Sequence, residues 1–551
     1  MSQSACRTAI SWEDLVTSPR LNRRSLLAST GAAAASPLLR PSVMAQATPE
    51  ATAGPLHGMN VLLFMTDQQR ATQHFPDGWE EANLPGLRRL KANGLSFEQA
   101  TCNATMCSPS RATMMSGLFP AQHGVKYCLE ANMPAPQYPQ VEMAADLPNL
   151  GTVMAAAGYA TPYKGKWHCS KPVNGNTAPA QKPPCTPDEG WAPDDVNRFG
   201  FSRWNPQDAG ANQFICQAAG GVVDNDNRFM TDDGDAESGQ EGALTYLRSA
   251  AAQQQPFFLT VSLVNPHDVL AYPAGFTAFG YDNSWLDSTG IELPATVDED
   301  LSTKPSAQGQ LQKLSAPLRP KGAEQQQNYL SFYGNLIKAS DAYLVQILDT
   351  LEEQGLLENT LIIHTSDHGE MGMTHGGMIQ KNFNVYEETL RVPLVYSNPS
   401  LFPEEMQSDA LVSHVDFAPT MASLVGSTAS NPDWQGVDYA SLVLDPAAPG
   451  VQDYQVFTYD DWQAGQAQGP YVTGANHIMA IRDDQFTLAR YYAPDGSAPD
   501  EWEMYDRTAD PDQKTNLAWT SFTRNDEQES AYQRLSILLT DVEQTRLQPL
   551  A

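Results

Sequence analysis

Asn60-Val61-Leu62-Leu63-Phe64-Met65-Thr66 is a continuous apolar run, and Asp67 ends it. With no polar alternation, such a run reads as a strand buried on both faces, the kind found inside parallel sheets. The pattern recurs. Pro256-Phe257-Phe258-Leu259-Thr260-Val261-Ser262-Leu263-Val264 leads into Asn265-Pro266-His267-Asp268. Thr360-Leu361-Ile362-Ile363-His364-Thr365-Ser366 leads into Asp367-His368-Gly369-Glu370. Between these runs Tyr329, Tyr333, Leu336, Ser340, Leu344, Ile347 and Leu351 recur every three or four residues. That spacing predicts one face of a long helix, which Gly355 stops. Helices alternating with buried strands predict an α/β fold with a large, mainly parallel sheet flanked by helices. Sites in such sheets gather at the carboxyl ends of the strands, which is where the polar residues stand here.

The chain has 551 residues, 41% hydrophobic and 18% charged, a globular composition. Its 33 basic residues face 64 acidic ones, for a formal net charge of -31. Nucleic acid is therefore not an expected partner, because phosphate binding needs a basic surface. An anionic substrate would need a locally basic pocket inside this negative field. Residues 1–47 read as an export signal: Asn22-Arg23-Arg24-Ser25-Leu26-Leu27 resembles a bacterial twin-arginine motif. An alanine-rich stretch follows, then Ala45-Gln46-Ala47 as a small-x-small cleavage site. The expected destination is the periplasm or the medium. No later segment reaches the ~18 uninterrupted apolar residues of a membrane span, so stable membrane insertion is not expected.

Residues 55–440 are expected to hold the main domain, with Pro-, Gly-, Asn- and Gln-rich loop insertions near 170–240 and 270–325. In 441–551 the texture changes: His477–Arg482 and Gln485–Tyr492 predict a hairpin around Asp483-Asp484. A helix near 527–545 would close this smaller α+β unit. The cysteines are Cys6, Cys102, Cys107, Cys128, Cys169, Cys185 and Cys216. Loss of Cys6 with the signal and modification of Cys107 would leave an odd number, and no C-x-x-C pair suggests zinc.

Cys107-Ser108-Pro109-Ser110-Arg111 is the sharpest local signal. Pro109 suits a first helical turn, where its missing N–H costs nothing. Residue 107 then lies at a helix N-terminus, where the dipole favours a developing anion, with Arg111 one turn on. The run resembles the C-x-P-S-R signature of the type I sulfatases of the alkaline phosphatase superfamily. In that family a formylglycine-generating enzyme oxidises the cysteine to formylglycine. The resemblance continues in Gly165-Lys166-Trp167-His168, in His267 after its strand, and in Lys381 before Leu390-Arg391-Val392-Pro393. Val415–Thr420, Glu503–Asp506 and Asn516–Ala518 carry it to about residue 520.

The resemblance implies an alkaline-phosphatase-like fold and a sulfuric ester hydrolase acting on a small-molecule or saccharide sulfate ester. It implies a divalent metal on Asp67, Asp367, His368 and the modified Cys107. Many family members have two adjacent aspartates where this chain has Asp67-Gln68. Gln68 either donates its amide oxygen or leaves the site one ligand fewer. The oxygen donors favour calcium, and the histidine leaves magnesium and manganese open. Lys166, Lys381 and His168 would contact the sulfate, and Arg111 would stabilise the nucleophile. His267 would protonate the leaving alcohol, and His168 would take the proton when the aldehyde reforms. His123 and His375 are expected in structural or supporting roles rather than in direct contact with substrate. A formylglycine-dependent phosphonate monoesterase or phosphodiesterase stays open as an alternative, as does a non-catalytic exported binding protein of the same fold. Aryl, choline and carbohydrate sulfates are not separated by these motifs.

Overall fold

Three apolar runs end up side by side. The computed structural model describes residues 54–129, 140–173, 190–211, 214–232, 240–465, 469 and 471–550. The expected export signal, with Cys6, and part of the insertion near 170–240, with Cys185, lie outside the described residues. The strands in chain order are β1 (Asn60–Asp67), β2 (Gly94–Phe97), β3 (Ala100–Thr101), β4 (Tyr163–Gly165), β5 (Phe258–Pro266), β6 (Thr360–Ser366) and β7 (Leu394–Ser397). They continue with β8 (Met406–Ser408), β9 (Val412–Ser413), β10 (Gln455–Tyr459), β11 (His477–Arg482), β12 (Phe486–Tyr492) and β13 (Glu501–Asp506). The main sheet has the order β4-β5-β1-β6-β7-β2-β8. β4, β5, β1 and β6 are mutually parallel, while β7 runs antiparallel to both β6 and β2.

The absence of alternation in β1 has a direct cause. Val61, Leu63 and Met65 face one core together with Ala112, Met114 and Met115 of the helix Cys107–Ser116. Leu62 and Phe64 face the opposite core against Tyr333, Leu336 and Leu344 of the helix Gly322–Glu353. Burying each such side chain contributes roughly 1.5–3 kcal/mol, so both faces must be apolar. The long helix ends as expected, with Gly355 at φ 65° just beyond it. The 270–325 insertion differs from the expected loop, because Ser306–Ser315 is helical. Only Ala307, Gln308 and Leu311 are buried there, too few for a periodic signal.

The C-terminal sheet is β10-β11-β12-β13, all antiparallel, and its hairpin pairs Arg482 with Thr487. The closing helix is Asp526–Thr545, which packs Leu535, Leu539 and Val542 against Ile481, Leu488 and Met504 of that sheet. No described helix is long and apolar enough to cross a membrane.

Candidate active site at the carboxyl edge of the main sheet

Strand register assembles the site. β1 and β6 pair Thr66 with Ser366, so Asp67 and Asp367 leave the sheet as neighbours. On the other side of β1, Asp67 is level with Pro266, one residue before His267. β4 pairs Gly165 with Ser262, which delivers Lys166 to the same edge. Gly165 is required there: at φ 108° a Cβ would fall 2.0 Å from the Ser262 carbonyl oxygen. The helix Cys107–Ser116 starts with Cys107 as its first residue, capped by Met106, and points that end at the edge.

Two turns carry backbone strain. Gln68 has φ 71° and His168 φ 52°, left-handed values that cost a non-glycine residue about 1–2 kcal/mol. Tyr333 Oη donates to the Gln68 carbonyl at 2.6 Å, and the Gln68 N–H donates to Asp367 Oδ1 at 3.0 Å. For His168 the holder is Asp208, whose two carboxylate oxygens accept from the Trp167 and His168 N–H groups at 2.8 Å each.

Arg111 is fully buried and forks between the two carboxylates. Its Nε donates to Asp367 Oδ2 at 2.9 Å and its Nη2 to Asp67 Oδ2 at 3.2 Å. Nη1 donates to Ser262 Oγ at 2.8 Å and to the Lys166 carbonyl at 2.9 Å. The guanidinium is thus directed at the carboxylates rather than back at residue 107. Lys166 Nζ binds Asp67 Oδ2 and donates to the Gly210 carbonyl at 2.7 Å. Lys381 Nζ donates to Gln68 Oε1 at 2.6 Å, while Gln68 Nε2 donates to Glu370 Oε2 at 2.5 Å. An ammonium on one side and a carboxylate on the other fix which way the amide points. The amide oxygen of Gln68 therefore already has a cation as its partner.

Charge follows from this packing. Burial and Cys107 push the Asp67 carboxyl up, but Lys166, His267 and Arg111 outweigh them and hold it below the usual carboxylate range. Burial and the neighbouring Asp67 raise the Asp367 carboxyl. Burial, then Lys166, lowers His168, so its ring is neutral near pH 7. His168 Nε2 lies 3.1 Å from the Leu129 carbonyl, so Nε2 carries the proton and Nδ1 is an acceptor.

Asp67, Cys107, Asp367 and His368 each offer a ligand atom, and these atoms lie within 4.8 Å of one another. His368 Nδ1 sits 3.0 Å from the Gly369 carbonyl, which places the proton on Nδ1 and leaves the Nε2 lone pair facing inward. Nε2 is 3.8 Å from Asp67 Oδ1 and 3.6 Å from Asp367 Oδ1. Two buried carboxylates, with an imidazole lone pair within 4 Å of both, fit a divalent cation.

Above this buried layer opens a cavity of about 350 Å³. Cys107, His168, His267 and Lys381 line it, whereas Asp67, Gln68, Arg111, Lys166, Asp367 and His368 lie beneath. Every residue singled out from the sequence for the site is thus in one assembly, in two tiers. His375 is elsewhere, stacked on Tyr386 at 3.5 Å and paired with Glu299 at 2.7 Å. His123 bridges Thr113 Oγ1 at 3.0 Å and the Val125 N–H at 3.1 Å. Neither lines the cavity. Sequence reasoning missed Asp208, Glu370 and Ser262. Asp208 stands in a polar insertion with no periodicity, and Ser262 is hidden inside an apolar strand. Glu370 ends the polar run that follows β6, three residues after Asp367, and that closeness was the available signal. Of the cysteines, Cys102, Cys107 and Cys169 carry free thiols and Cys216 is disulfide-bonded.

The sulfatase family model matches residues 59–427. A second model, for the C-terminal part of N-sulphoglucosamine sulphohydrolase, matches residues 374–541. An ulvan-active sulfatase from Formosa agariphila is 25% identical over 463 residues, 83% of this chain and 76% of that protein. A solved structure holding its substrate D-glucosamine-2-N,6-O-disulfate superposes with a TM-score of 0.62 at 20% identity, covering 89% of this chain and 98% of the other. A phosphonate monoester hydrolase from Silicibacter pomeroyi superposes with a TM-score of 0.60 at 20% identity, covering 89% and 96%. These two likenesses are of fold. With more than half of its residues matched by the family model, the chain belongs to the sulfatase family, in the alkaline phosphatase superfamily.

Proposed function

We propose that this protein hydrolyses sulfate monoesters, with residue 107 as nucleophile after its conversion from cysteine to formylglycine by a formylglycine-generating enzyme. The observation that carries the reading is the position of Cys107. It begins a helix, its Sγ is 3.3 Å from His368 Nε2, and it lines the same cavity as Lys381, His168 and His267. A hydrated formylglycine supplies one hydroxyl to attack sulfur and a second whose ionisation expels sulfate by carbon–oxygen cleavage. Asp67, Asp367, His368 and residue 107 would hold a divalent metal, calcium by preference, which supplies positive charge beside the nucleophile. Gln68 reaches that group only by sharing the oxygen that Lys381 holds.

The chain's own residues do the rest. Lys381 faces the cavity and takes up charge on the sulfate oxygens. Lys166, bound to Asp67 from below, adds its charge to the same field. Arg111 pairs with both carboxylates and holds them in place. His267 faces the cavity and protonates the departing alcohol, and neutral His168 accepts the proton when the aldehyde reforms. The net effect is a cationic pocket inside a chain of charge -31.

The decisive experiment takes protein made with a formylglycine-generating enzyme, checks the mass of the peptide containing Cys107, and assays sulfate release with and without chelator. An aldehyde and metal-dependent release are expected; an aldehyde with no release from any sulfate ester would refute the reading. The fold likeness to a phosphonate monoester hydrolase supports one control. A higher kcat/KM on an aryl phosphonate than on the matching aryl sulfate would move the assignment to phosphonates. Residues 1–47 are proposed to direct export through a twin-arginine-type route, which the N-terminal sequence of the mature exported protein tests.

A further inference from the structure

The alcohol side of the cavity has a character of its own. Facing the polar end are Leu311 and Leu314 of the helix Ser306–Ser315, Leu318 just beyond it, Leu270 after β5, Ile379 and Phe214. Leu311 belongs to one apolar core and Ile379 to another, with Leu314 and Leu270 packed on them, so the wall is backed by rigid packing. Leu318 is 59% exposed at the mouth, so the apolar wall continues out to solvent there. Among the described lining residues there is no carboxylate and no guanidinium, and the one ammonium is Lys381, at the nucleophile. The Asn382 amide already donates to Tyr459 Oη at 3.2 Å. Ser315, Gln380 and Asn382 are the neutral polar side chains of the lining; a sugar hydroxyl pressed against the leucines instead would lose its water and gain no partner there. An alkyl or aryl group would lose only apolar hydration.

We propose that the leaving alcohol of this enzyme is an uncharged hydrophobic one, so that alkyl or aryl sulfates dock along the Leu311–Leu314–Leu318 wall with their sulfate at residue 107. The proposal rests on the hydrolase reading above and deepens it. At about 350 Å³ the cavity lies near the lower end of ligand-sized pockets, enough for a sulfate and a short chain or a single ring.

The test compares esters of equal intrinsic reactivity: butyl, hexyl and octyl sulfate against glucose 6-sulfate, all sulfates of primary alcohols. The formylglycine-bearing protein is used, and sulfate release is measured. kcat/KM is expected to rise about fourfold per methylene from butyl to hexyl, and hexyl sulfate to exceed glucose 6-sulfate by at least about tenfold. Leu318→Ser, at an exposed position that cannot disturb folding much, and Leu314→Ser should each raise KM for hexyl sulfate more than they lower kcat. Both should flatten the dependence on chain length. A flat chain-length series, or glucose 6-sulfate as the better substrate, overturns the proposal and leaves the hydrolase reading standing. No release from any of the four esters overturns the proposal, and the hydrolase reading falls with it only when no other sulfate ester is cleaved either.

Discussion

Replacing Arg111 by methionine keeps most of the side-chain volume and removes the charge that two buried carboxylates share. The guanidinium is completely inaccessible and donates to Asp367 at 2.9 Å, Asp67 at 3.2 Å, Ser262 at 2.8 Å and the Lys166 carbonyl at 2.9 Å. Breaking a buried pair by deleting one partner costs about 3–5 kcal/mol, because the other charge stays buried. Here two carboxylates would be left with Lys166 as the remaining ammonium on Asp67. The expected loss for the metal-free protein is therefore at the upper end, about 5 kcal/mol. A divalent cation bound by Asp67 and Asp367 would restore the missing charge, so the loss should shrink to about half at saturating calcium. The same reasoning makes Arg111→Met bind calcium more tightly than the parent, since a positive neighbour has gone. Urea unfolding midpoints, measured with chelator and with calcium, give both differences directly. Equal destabilisation in the two conditions would refute the idea that Arg111 and the metal answer the same pair of charges. A loss under about 1 kcal/mol in chelator would refute the buried-pair reasoning itself.

Three more outcomes follow from the geometry. His267→Ala should lower kcat about 10²–10⁴-fold on alkyl sulfates, but far less on 4-nitrophenyl sulfate, whose leaving group needs no proton; equal losses on both would remove the general-acid role. Asp208→Ala strips the acceptor from the buried Trp167, His168 and Ala209 N–H groups and should cost about 2–5 kcal/mol in denaturant unfolding, with kcat falling more than KM rises as His168 drifts. Partial recovery by Asp208→Asn is expected, and wild-type kinetics in the alanine variant would refute the positioning role. Burial lowers His123 to about 3, His364 to about 4 and His414 to about 3. Each binds a proton more readily when unfolded, so each stabilises fully above about pH 6.5 and progressively less below it. Between about pH 6 and 4 the three together should cost up to roughly 4 kcal/mol per pH unit. His364→Phe, against Phe64, should remove about a third of that slope in urea titrations; an unchanged slope would exclude His364 as a contributor.

Most of the site was legible because strand ends announce it. The runs ending at Asp67, His267 and Asp367 are apolar on both faces for a packing reason, so the first polar residue after each is conspicuous. Register then does what no local pattern can, bringing residues three hundred positions apart level with one another. What stayed hidden lacks a period. Asp208 acts through two backbone N–H groups, a task that any carboxylate in a loop could perform. The tiering was also invisible. Lys166 and Lys381 read alike as sulfate-binding cations, yet one is under the cavity on Asp67 and the other faces into it. That distinction comes from the side to which each backbone turns after its strand or loop.

The two ends of the cavity have different structural origins, and this bears on how one chemistry serves many alcohols. The polar end hangs on β1, β4, β5, β6 and one helix N-terminus, whose positions are locked by ladder register and by two apolar cores. Moving any of these groups by one residue would flip a strand and expose its buried face. The apolar end comes from a ten-residue helix inside an insertion and from loop residues around it. Changing Leu314 or Leu318 perturbs no strand and little core, since Leu318 is already 59% exposed. The reacting end is therefore costly to alter and the alcohol end cheap. Substrate choice in this protein should be found by reading the Ser306–Leu318 segment, not the strand-end motifs that identify its family.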